Sequence, residues 1–182
     1  MRALVVYESM YGNTHVIAGN IADGLRSTHE VTLVPVAEAT RGLVTDADLV
    51  VVGGPTHMHG ISRDATRRSA AKAAAREDSG LELDPDADGP GIRDWLEDIT
   101  GGHGITAAAF DTRLNRVPAF TGRASHGIAR LLRRHGFRLL TAPESFLIGQ
   151  RNTLLDGEAA RARQWGAALG TAASRTYALA GT

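Results

Sequence analysis

The chain has 182 residues, no cysteine, and 20 acidic residues balanced by 20 lysines and arginines. The length predicts one domain over residues 1–182, and the balanced charge excludes an overall field that attracts nucleic acid or anionic lipid. Without cysteine there is no disulfide, thiolate metal site or cysteine nucleophile. A first strand that begins at Arg2 or Ala3 leaves no room for a signal peptide, and no apolar run reaches the ~18 residues of a membrane span. We therefore expect a soluble, cytoplasmic protein without membrane insertion.

Apolar strand patterns alternate with helical patterns along the chain. The first strand, ALVVY, is apolar throughout, which is typical of a strand buried on both faces of a parallel sheet. The first helix follows it, with apolar residues at Val16, Ile17, Ile21 and Leu25. The second strand contains Pro35, which suits a sheet edge. The predicted strands cover 3–7, 29–36, 48–54, 104–114 and 138–149, and the predicted helices cover 13–27, 64–76, 91–99, 126–136 and 156–179.

This alternation predicts an α/β fold in which a parallel sheet is covered by helices on both faces. Right-handed crossovers then bring the carboxyl ends of the strands to one edge of the sheet. Such sheets bind ligands at that edge, where the strand order reverses. The functional residues should therefore lie in the loops that follow the strands.

The loop between the first strand and the first helix, ESMYGNT (8–14), is the clearest candidate site. At a helix N-terminus, unpaired N–H groups and the positive end of the helix dipole suit a phosphate group. Ser9, Asn13 and Thr14 add side-chain donors, and Gly12 permits close approach of a ligand to the backbone.

Two common nucleotide-binding motifs are absent from this loop. A Walker loop has a lysine before its Ser or Thr, but no Lys or Arg occurs here between Tyr7 and Leu25, and the GxGxxG fingerprint is missing as well. The spacing leaves two interpretations. The loop is either a neutral cradle for a monophosphate, or an ordinary helix cap in which Ser9 or Asn13 satisfies the first N–H groups.

The longer stretch VVYESMYGNTHVIAGNI resembles the flavodoxin signature. That signature has an apolar pair, an aromatic residue, Ser or Thr, Gly, Thr, Ala and an aliphatic residue at fixed spacing, which here are Val5, Val6, Tyr7, Ser9, Gly12, Thr14, Ala18 and Ile21. The resemblance implies a flavodoxin-like, doubly wound, five-stranded parallel sheet in the order 2-1-3-4-5, with helices on both faces. It also implies FMN as the cofactor, with its phosphate held by Ser9, Met10, Tyr11, Gly12, Asn13 and Thr14.

Two further loops occupy positions where flavodoxin-like proteins contact the flavin ring. The resemblance implies ring contacts from Pro55, Thr56, His57, Met58, His59 and Gly60 after the third strand, and from Asp111, Thr112, Arg113 and Phe120 after the fourth. The resemblance also implies a peptide in the loop after the third strand that reorients when the flavin changes redox state. The His59–Gly60 peptide is the candidate, because Gly60 alone in THMHGI tolerates a positive φ without a Cβ clash.

The residues of these loops leave plainer interpretations open. The first loop also fits a Gly- and Pro-containing turn with two incidental histidines, and the run 121–128 also fits simple helix capping. The H-x-H pair of His57 and His59 lacks a neighbouring carboxylate or third ligand. It is therefore weak evidence for metal, and we predict no metal site.

The basic residues of the chain separate it from well-studied electron-carrier flavodoxins. Those carriers are acidic and have an acidic, Tyr-bearing segment in the second ring loop, whereas this chain has Arg113, Arg116 and Arg123 there and no Tyr. The resemblance therefore does not identify the redox partner. The arginine-rich run 130–138 is interpreted as cations near the negative end of a helix that stops at Gly136, because the net charge of the chain is zero.

The predicted function is electron transfer by bound FMN to a redox partner protein or a small-molecule acceptor, with no catalytic residue assigned. Two alternatives keep the same fold. One is an FMN-dependent NAD(P)H/quinone-type oxidoreductase or a protoporphyrinogen oxidase-like enzyme, in which the polar region 56–91 shapes a substrate site. The other is a flavin-free binding module. The sequence does not indicate an oligomeric state.

Overall fold

The structure, a computed structural model, describes residues 1–57, 59–99, 102, 104–117 and 121–180. Strands and helices alternate closely as the sequence predicts. The strands are β1 (Arg2–Tyr7), β2 (Glu30–Pro35), β3 (Leu49–His57), β4 (Gly60–Ile61), β5 (Thr106–Leu114), β6 (Arg138–Leu139) and β7 (Glu144–Ile148). The helices are α1 (Asn13–Leu25), α2 (Arg41–Thr45), α3 (Asp64–Ala74), α4 (Ile92–Asp98), α5 (Ala124–Arg134) and α6 (Glu158–Ala180), with a 3-10 turn at Val36–Glu38.

The main sheet is parallel, in the order β2-β1-β3-β5, and both β6 and β7 pair with the far side of β5. The two short strands β6 and β7 together take the place of the predicted fifth strand, so the predicted doubly wound fold with order 2-1-3-4-5 is confirmed. The strand is interrupted at 140–143, where Pro143 has no N–H for a ladder. Pro35 lies on the edge strand β2, opposite Tyr7, as its sequence position predicts.

Side chains of the central strands alternate between two buried clusters, one on each face of the sheet. In β1, Leu4 and Val6 face one cluster while Val5 and Tyr7 face the other. The first cluster packs under α4 and α5, and its members include Trp95, Leu96, Ile128 and Leu132. The second packs under α1 and α6, and its members include Ile17, Ile21, Leu25 and Leu169. The sheet is therefore covered on both faces.

Helices α1 and α6 contact each other through their backbones. A Cβ atom added to Gly166 would lie 2.2 Å from the carbonyl oxygen of Ile21, and one added to Gly24 would lie 2.1 Å from the carbonyl oxygen of Arg163. Only glycine permits this separation. The close contact with α6 holds α1, and with it the loop at the N-terminus of α1, against the second cluster.

Two predicted apolar positions are wrong in detail. Val16, predicted on the buried face of α1, is 48 % exposed, because the stripe that faces the sheet runs through Ile17, Ala18, Ile21 and Leu25. Tyr177, predicted beside Trp165 on the last helix, is 61 % exposed near the helix end. Within the described residues, none of the helices combines the length and the apolar character that crossing a membrane requires.

Candidate functional site

A cleft of about 250 Å³ opens at the carboxyl edge of the sheet, beside the start of α1. It brings together three regions that the sequence predicted separately: the loop after β1, the end of β3, and Thr112 on β5. We call it the edge cleft. Its lining residues are Met10, Tyr11, Asn13, Thr14, Pro55, Thr56, His57, Leu81, Thr112, Leu114, Ile148 and Asn152.

The N-terminal end of α1 has free hydrogen-bond donors. Gly12 precedes the helix with φ 86°, no side chain caps the helix, and Val16 N–H is the first to bond back, to the Gly12 carbonyl at 2.9 Å. The N–H groups of Asn13, Thr14 and His15 therefore emerge from the helix end without an intrahelical partner. The capping interpretation of this loop is wrong, because neither candidate side chain caps the helix.

The polar side chains of the loop are held by other contacts. The Ser9 hydroxyl accepts from Gly12 N–H at 3.1 Å, and the Asn13 amide donates to the Asn152 carbonyl at 2.9 Å. The hydroxyl oxygens of Thr14 and Thr112 are 2.7 Å apart and buried. These bonds fix the loop while leaving the first-turn N–H groups available, which is the arrangement that an anion requires.

β3 pairs antiparallel with β4 to form the β3–β4 hairpin, in which His57 pairs with Gly60. His59, not Gly60, is the described residue of this turn with a positive φ, at 74°. The pairing places Gly60 in β4, and the predicted reorientation of the His59–Gly60 peptide with redox state stays a prediction. Met58, predicted as a ring contact, lies outside the described residues.

Gly122 contacts the hairpin. It has φ 71° and forms an isolated β-bridge with His59. A Cβ atom on Gly122 would lie 2.1 Å from the His59 carbonyl oxygen. Gly122 is therefore needed for both its conformation and its lack of a side chain. His57 is largely buried, and desolvation, together with the charge of Arg67, lowers its pKa.

Asp111 serves a different purpose from the predicted ring contact. Its carboxylate is fully buried and accepts from Ser125 N–H at 2.7 Å, while the Thr56 hydroxyl accepts from Ala124 N–H at 2.9 Å. Two residues from neighbouring strands thus cap α5, and Asp111 does not line the edge cleft. Burial raises the pKa of Asp111 despite these hydrogen bonds.

The other residues predicted in the second ring loop differ in where the structure places them. Thr112 lines the edge cleft. The Arg113 guanidinium donates to the carbonyls of Leu114 and Arg116, at 3.1 and 2.8 Å, and so shapes the start of the loop rather than the cleft. Phe120 lies outside the described residues, so its predicted contact stays a prediction.

Sequence reasoning missed four residues that line the edge cleft: Leu81, Leu114, Ile148 and Asn152. Leu114 and Ile148 end their strands at the same edge of the sheet, so their position was a usable signal. Asn152 has φ 55° and holds Asn13 from a loop 139 residues away, which no local pattern indicates. Leu81 lies in the long polar segment after α3, where the pattern predicts only a loop.

One set of described residues has the composition of a metal site. Ligand atoms of His15, Asp84 and Asp86 lie within 4.8 Å of one another, next to the start of α1. These atoms already bond among themselves: His15 Nδ1 is 3.3 Å from Asp84 Oδ2, and the Tyr7 hydroxyl donates to Asp86 Oδ2 at 2.6 Å. The network fastens the 84–86 turn to α1.

A further buried carboxylate belongs to the first residue of the loop after β1. Glu8 is 7 % exposed, and its Oε2 accepts from the N–H of Ile92 at 2.9 Å, at the start of α4. Burial raises the pKa of Glu8, in spite of that bond and the nearby Arg67. Glu8 thus ties the loop to the helix that covers the first cluster.

The fold and the edge cleft define a doubly wound α/β protein with an anion-accepting loop after its first strand. The flavodoxin family model matches residues 5–99, more than half of the chain, and the chain belongs to this family. A flavodoxin from Aquifex aeolicus (strain VF5) is 44 % identical over 59 residues, which are 31 % of this chain and 32 % of that protein. The match thus spans about a third of the length of that curated relative.

Solved structures of low sequence identity share the fold. A flavodoxin from the domain Archaea superposes with a TM-score of 0.64 at 18 % identity, covering 96 % of this chain and 99 % of that one. Flavodoxin 1 from Bacillus cereus gives 0.64 at 18 % identity, with 94 % and 98 % covered. The flavodiiron protein from Giardia intestinalis gives 0.64 at 21 % identity over 96 % of this chain but 36 % of that one.

Proposed function

We propose that the protein binds FMN in the edge cleft and transfers electrons through it. The observation that carries this proposal is the start of α1, where the N–H groups of Asn13, Thr14 and His15 emerge uncapped beside the cleft. Membership of the flavodoxin family supports FMN as the anion that this end accepts.

The residues at the loop fit a phosphate monoester. A helix N-terminus offers N–H donors and partial positive charge to such an anion. Gly12 has no side chain to cover the donors, and the Thr14 hydroxyl lies next to them. No Lys or Arg lies between Tyr7 and Leu25, so the backbone supplies most of the attraction.

The remaining residues of the edge cleft suit the less polar part of the flavin. Met10, Pro55, Leu81 and Ile148 provide apolar walls, and Thr56 and His57 provide polar groups at one side. Bound FMN supplies the redox chemistry, since its ring accepts and releases electrons. The protein holds the phosphate, limits the access of water and sets the polarity around the ring.

The first experiment is a flavin titration of the purified protein. FMN should bind with quenching of its fluorescence, and riboflavin should bind much more weakly because it has no phosphate for the α1 end. Anaerobic reduction and reoxidation of the complex should then be reversible. Failure to bind either flavin favours the flavin-free module, and turnover of NADPH with a quinone favours the oxidoreductase.

A further inference from the structure

A second cleft, of about 400 Å³, lies against the β3–β4 hairpin and is also lined by residues at the start of α3 and of α4. We call it the cationic cleft, because its charged and titratable side chains are two arginines and two histidines. It contains no acidic residue. Its lining residues are His57, His59, Gly60, Ile61, Arg63, Thr66 and Arg93.

The two arginines of the cationic cleft have no ion pair in the described part of the chain. The neighbouring Arg67, by contrast, is paired with Asp64 and Asp94. The chain as a whole carries equal numbers of acidic and basic residues. Arg63 and Arg93 thus form a local excess of positive charge that the protein itself does not neutralise.

Buried polar atoms around the cationic cleft lack partners as well. Arg93 Nε and His57 Nε2 are buried and make no hydrogen bond with any described residue, and the same holds for Nη1 of Arg67 behind them. Buried polar atoms without a hydrogen-bond partner are unfavourable and rare, so each requires an explanation. An anionic ligand in the cleft would supply an acceptor to Arg93, and to His57 in the tautomer that carries the proton on Nε2.

The cationic cleft adjoins the edge cleft. His57 lines both, so a ligand in either cleft would lie beside the same side chain. A molecule held by the arginines would therefore lie next to the cofactor of the proposed function.

We propose that the cationic cleft binds a small-molecule electron donor or acceptor that carries phosphate or carboxylate groups, beside the flavin in the edge cleft. The proposal rests on the proposed function for the redox role, but the anion site itself depends only on the residues of the cleft. Guanidinium groups bind both phosphate and carboxylate through paired hydrogen bonds. A concave cleft lined by a hairpin and the starts of two helices favours a small molecule over a flat protein surface.

The first test measures anion binding to the FMN-loaded protein by calorimetry, with inorganic pyrophosphate and citrate as the probes. Because FMN occupies the α1 end, binding should report on the cationic cleft. Arg63→Gln and Arg93→Gln should each weaken binding about tenfold, as expected for the loss of a hydrogen bond to a charged group. Arg134→Gln, which removes the same charge from an exposed position at the far end of α5, should change nothing.

Binding of either probe that is lost in both cleft variants supports the proposal, and the tighter probe distinguishes phosphate from carboxylate chemistry. Absence of binding, or equal binding in wild type and the cleft variants, overturns it. An NMR titration of the His57 ring gives an independent readout. Burial and Arg67 lower the pKa of His57, and an anion beside it should raise that pKa in wild type but not in Arg93→Gln.

The second test addresses electron transfer with a matched pair of small oxidants. FMN-loaded protein is reduced with dithionite, freed of excess reductant, and reoxidised by ferricyanide or by hexaammineruthenium(III). Two equivalents of either oxidant take up the two electrons of one fully reduced flavin, and its protons pass to the solvent. At low salt, Arg63→Gln and Arg93→Gln should slow reoxidation by ferricyanide, a trianion, severalfold, because they weaken its electrostatic attraction to the cleft. They should not slow reoxidation by hexaammineruthenium(III), a trication.

The two proposals fail in distinguishable ways. If FMN does not bind, the pyrophosphate titration is repeated on the protein as purified, with Thr14→Ala as a further variant. If only Arg93→Gln loses pyrophosphate binding, the cationic cleft is an anion site, but its proposed redox role fails. Loss in Thr14→Ala alone places the anion at the start of α1 and overturns the inference. Equal slowing of both oxidants in the arginine variants overturns the redox role of the cationic cleft.

Discussion

Thr14 is the residue on which the proposed recognition of phosphate depends most directly. Its buried hydroxyl lies at the open end of α1, 2.7 Å from the hydroxyl of Thr112. Thr14→Val keeps the shape of the side chain and removes the donor. We expect FMN to bind more weakly by about 1.5–3 kcal/mol, the range for a hydrogen bond to a charged group. Fluorescence titration of the apoprotein with FMN measures this loss.

Riboflavin is the matched ligand for this variant, because it keeps the ring and lacks the phosphate. Its affinity should hardly change in Thr14→Val. Thr112→Val removes the partner hydroxyl but leaves that of Thr14, so it should weaken FMN binding less. If both flavins lose affinity equally, Thr14 maintains the shape of the loop and does not hold phosphate.

Glycines around the hairpin differ sharply in how replaceable they are. Gly122→Ala places a Cβ atom against the backbone of His59 at a position with φ 71°, so we expect a loss of stability of about 2–4 kcal/mol. Gly60→Ala meets no atom within 4 Å and needs no left-handed conformation, and should be neutral or slightly stabilising. Urea unfolding measures both changes. A destabilised Gly60→Ala would show that the hairpin does need glycine there.

The same hairpin shows the limit of sequence reasoning for single residues. Glycine is the residue type that best tolerates positive φ, so the pattern THMHGI favours Gly60. The structure places that conformation at His59, because His57 and Gly60 pair across the turn. Asp111 was likewise assigned by its place after a strand, whereas its buried bond to Ser125 becomes visible only when α5 is docked.

At the scale of elements, the contact between α1 and α6 offers a direct prediction. Gly166→Ala inserts a methyl group 2.2 Å from the Ile21 carbonyl oxygen and should destabilise the protein by about 2–4 kcal/mol. Gly19→Ala, in α1 with no atom within 4 Å of the new Cβ, should stabilise it by about 0.5–1 kcal/mol. Thermal and urea unfolding test both variants, and a harmless Gly166→Ala would mean that the helices separate easily.

The sequence largely predicts the strands and helices. It predicts the part of the edge cleft that comes from one continuous segment of the chain. The spacing of the β1–α1 segment defines both the strand–loop–helix unit and its open helix end. The interruption of the fifth strand between β6 and β7 was missed, because a short apolar pattern does not indicate which residues pair. Leu81 and Asn152 reach the edge cleft from distant loops, so tertiary packing, not periodicity, brings them there.

Over the whole molecule, the balanced charge conceals an uneven distribution at the carboxyl edge of the sheet. Glu8 and Asp111 are buried there and accept hydrogen bonds from the starts of α4 and α5. Nearby, Arg63 and Arg93 carry charge without a carboxylate partner among the described residues. The two acids are therefore structural, while the two arginines remain available to a ligand.

The buried acids should give the whole protein a characteristic pH dependence. Burial raises both pKa values above their ordinary values of 4.5 for Glu8 and 3.8 for Asp111. As pH rises through these values, the unfolded chain releases its protons first, so the folded state loses stability until both groups ionise. The double variant Glu8→Gln and Asp111→Asn removes this loss. Its unfolding free energy relative to wild type should therefore increase from about pH 4 to neutrality.

Glu158→Gln is the control of opposite sign for this pH dependence. Although Glu158 is partly desolvated, its hydrogen bonds with Arg161 lower its pKa. Its contribution to stability is therefore present above its ordinary value of 4.5 and is lost as pH falls. The variant should be less stable than wild type near neutrality, and the difference should shrink in acid. Urea unfolding at several pH values measures both trends. If the unfolding free energy of the double variant relative to wild type does not increase with pH, Glu8 and Asp111 ionise as freely in the folded protein as in the unfolded chain.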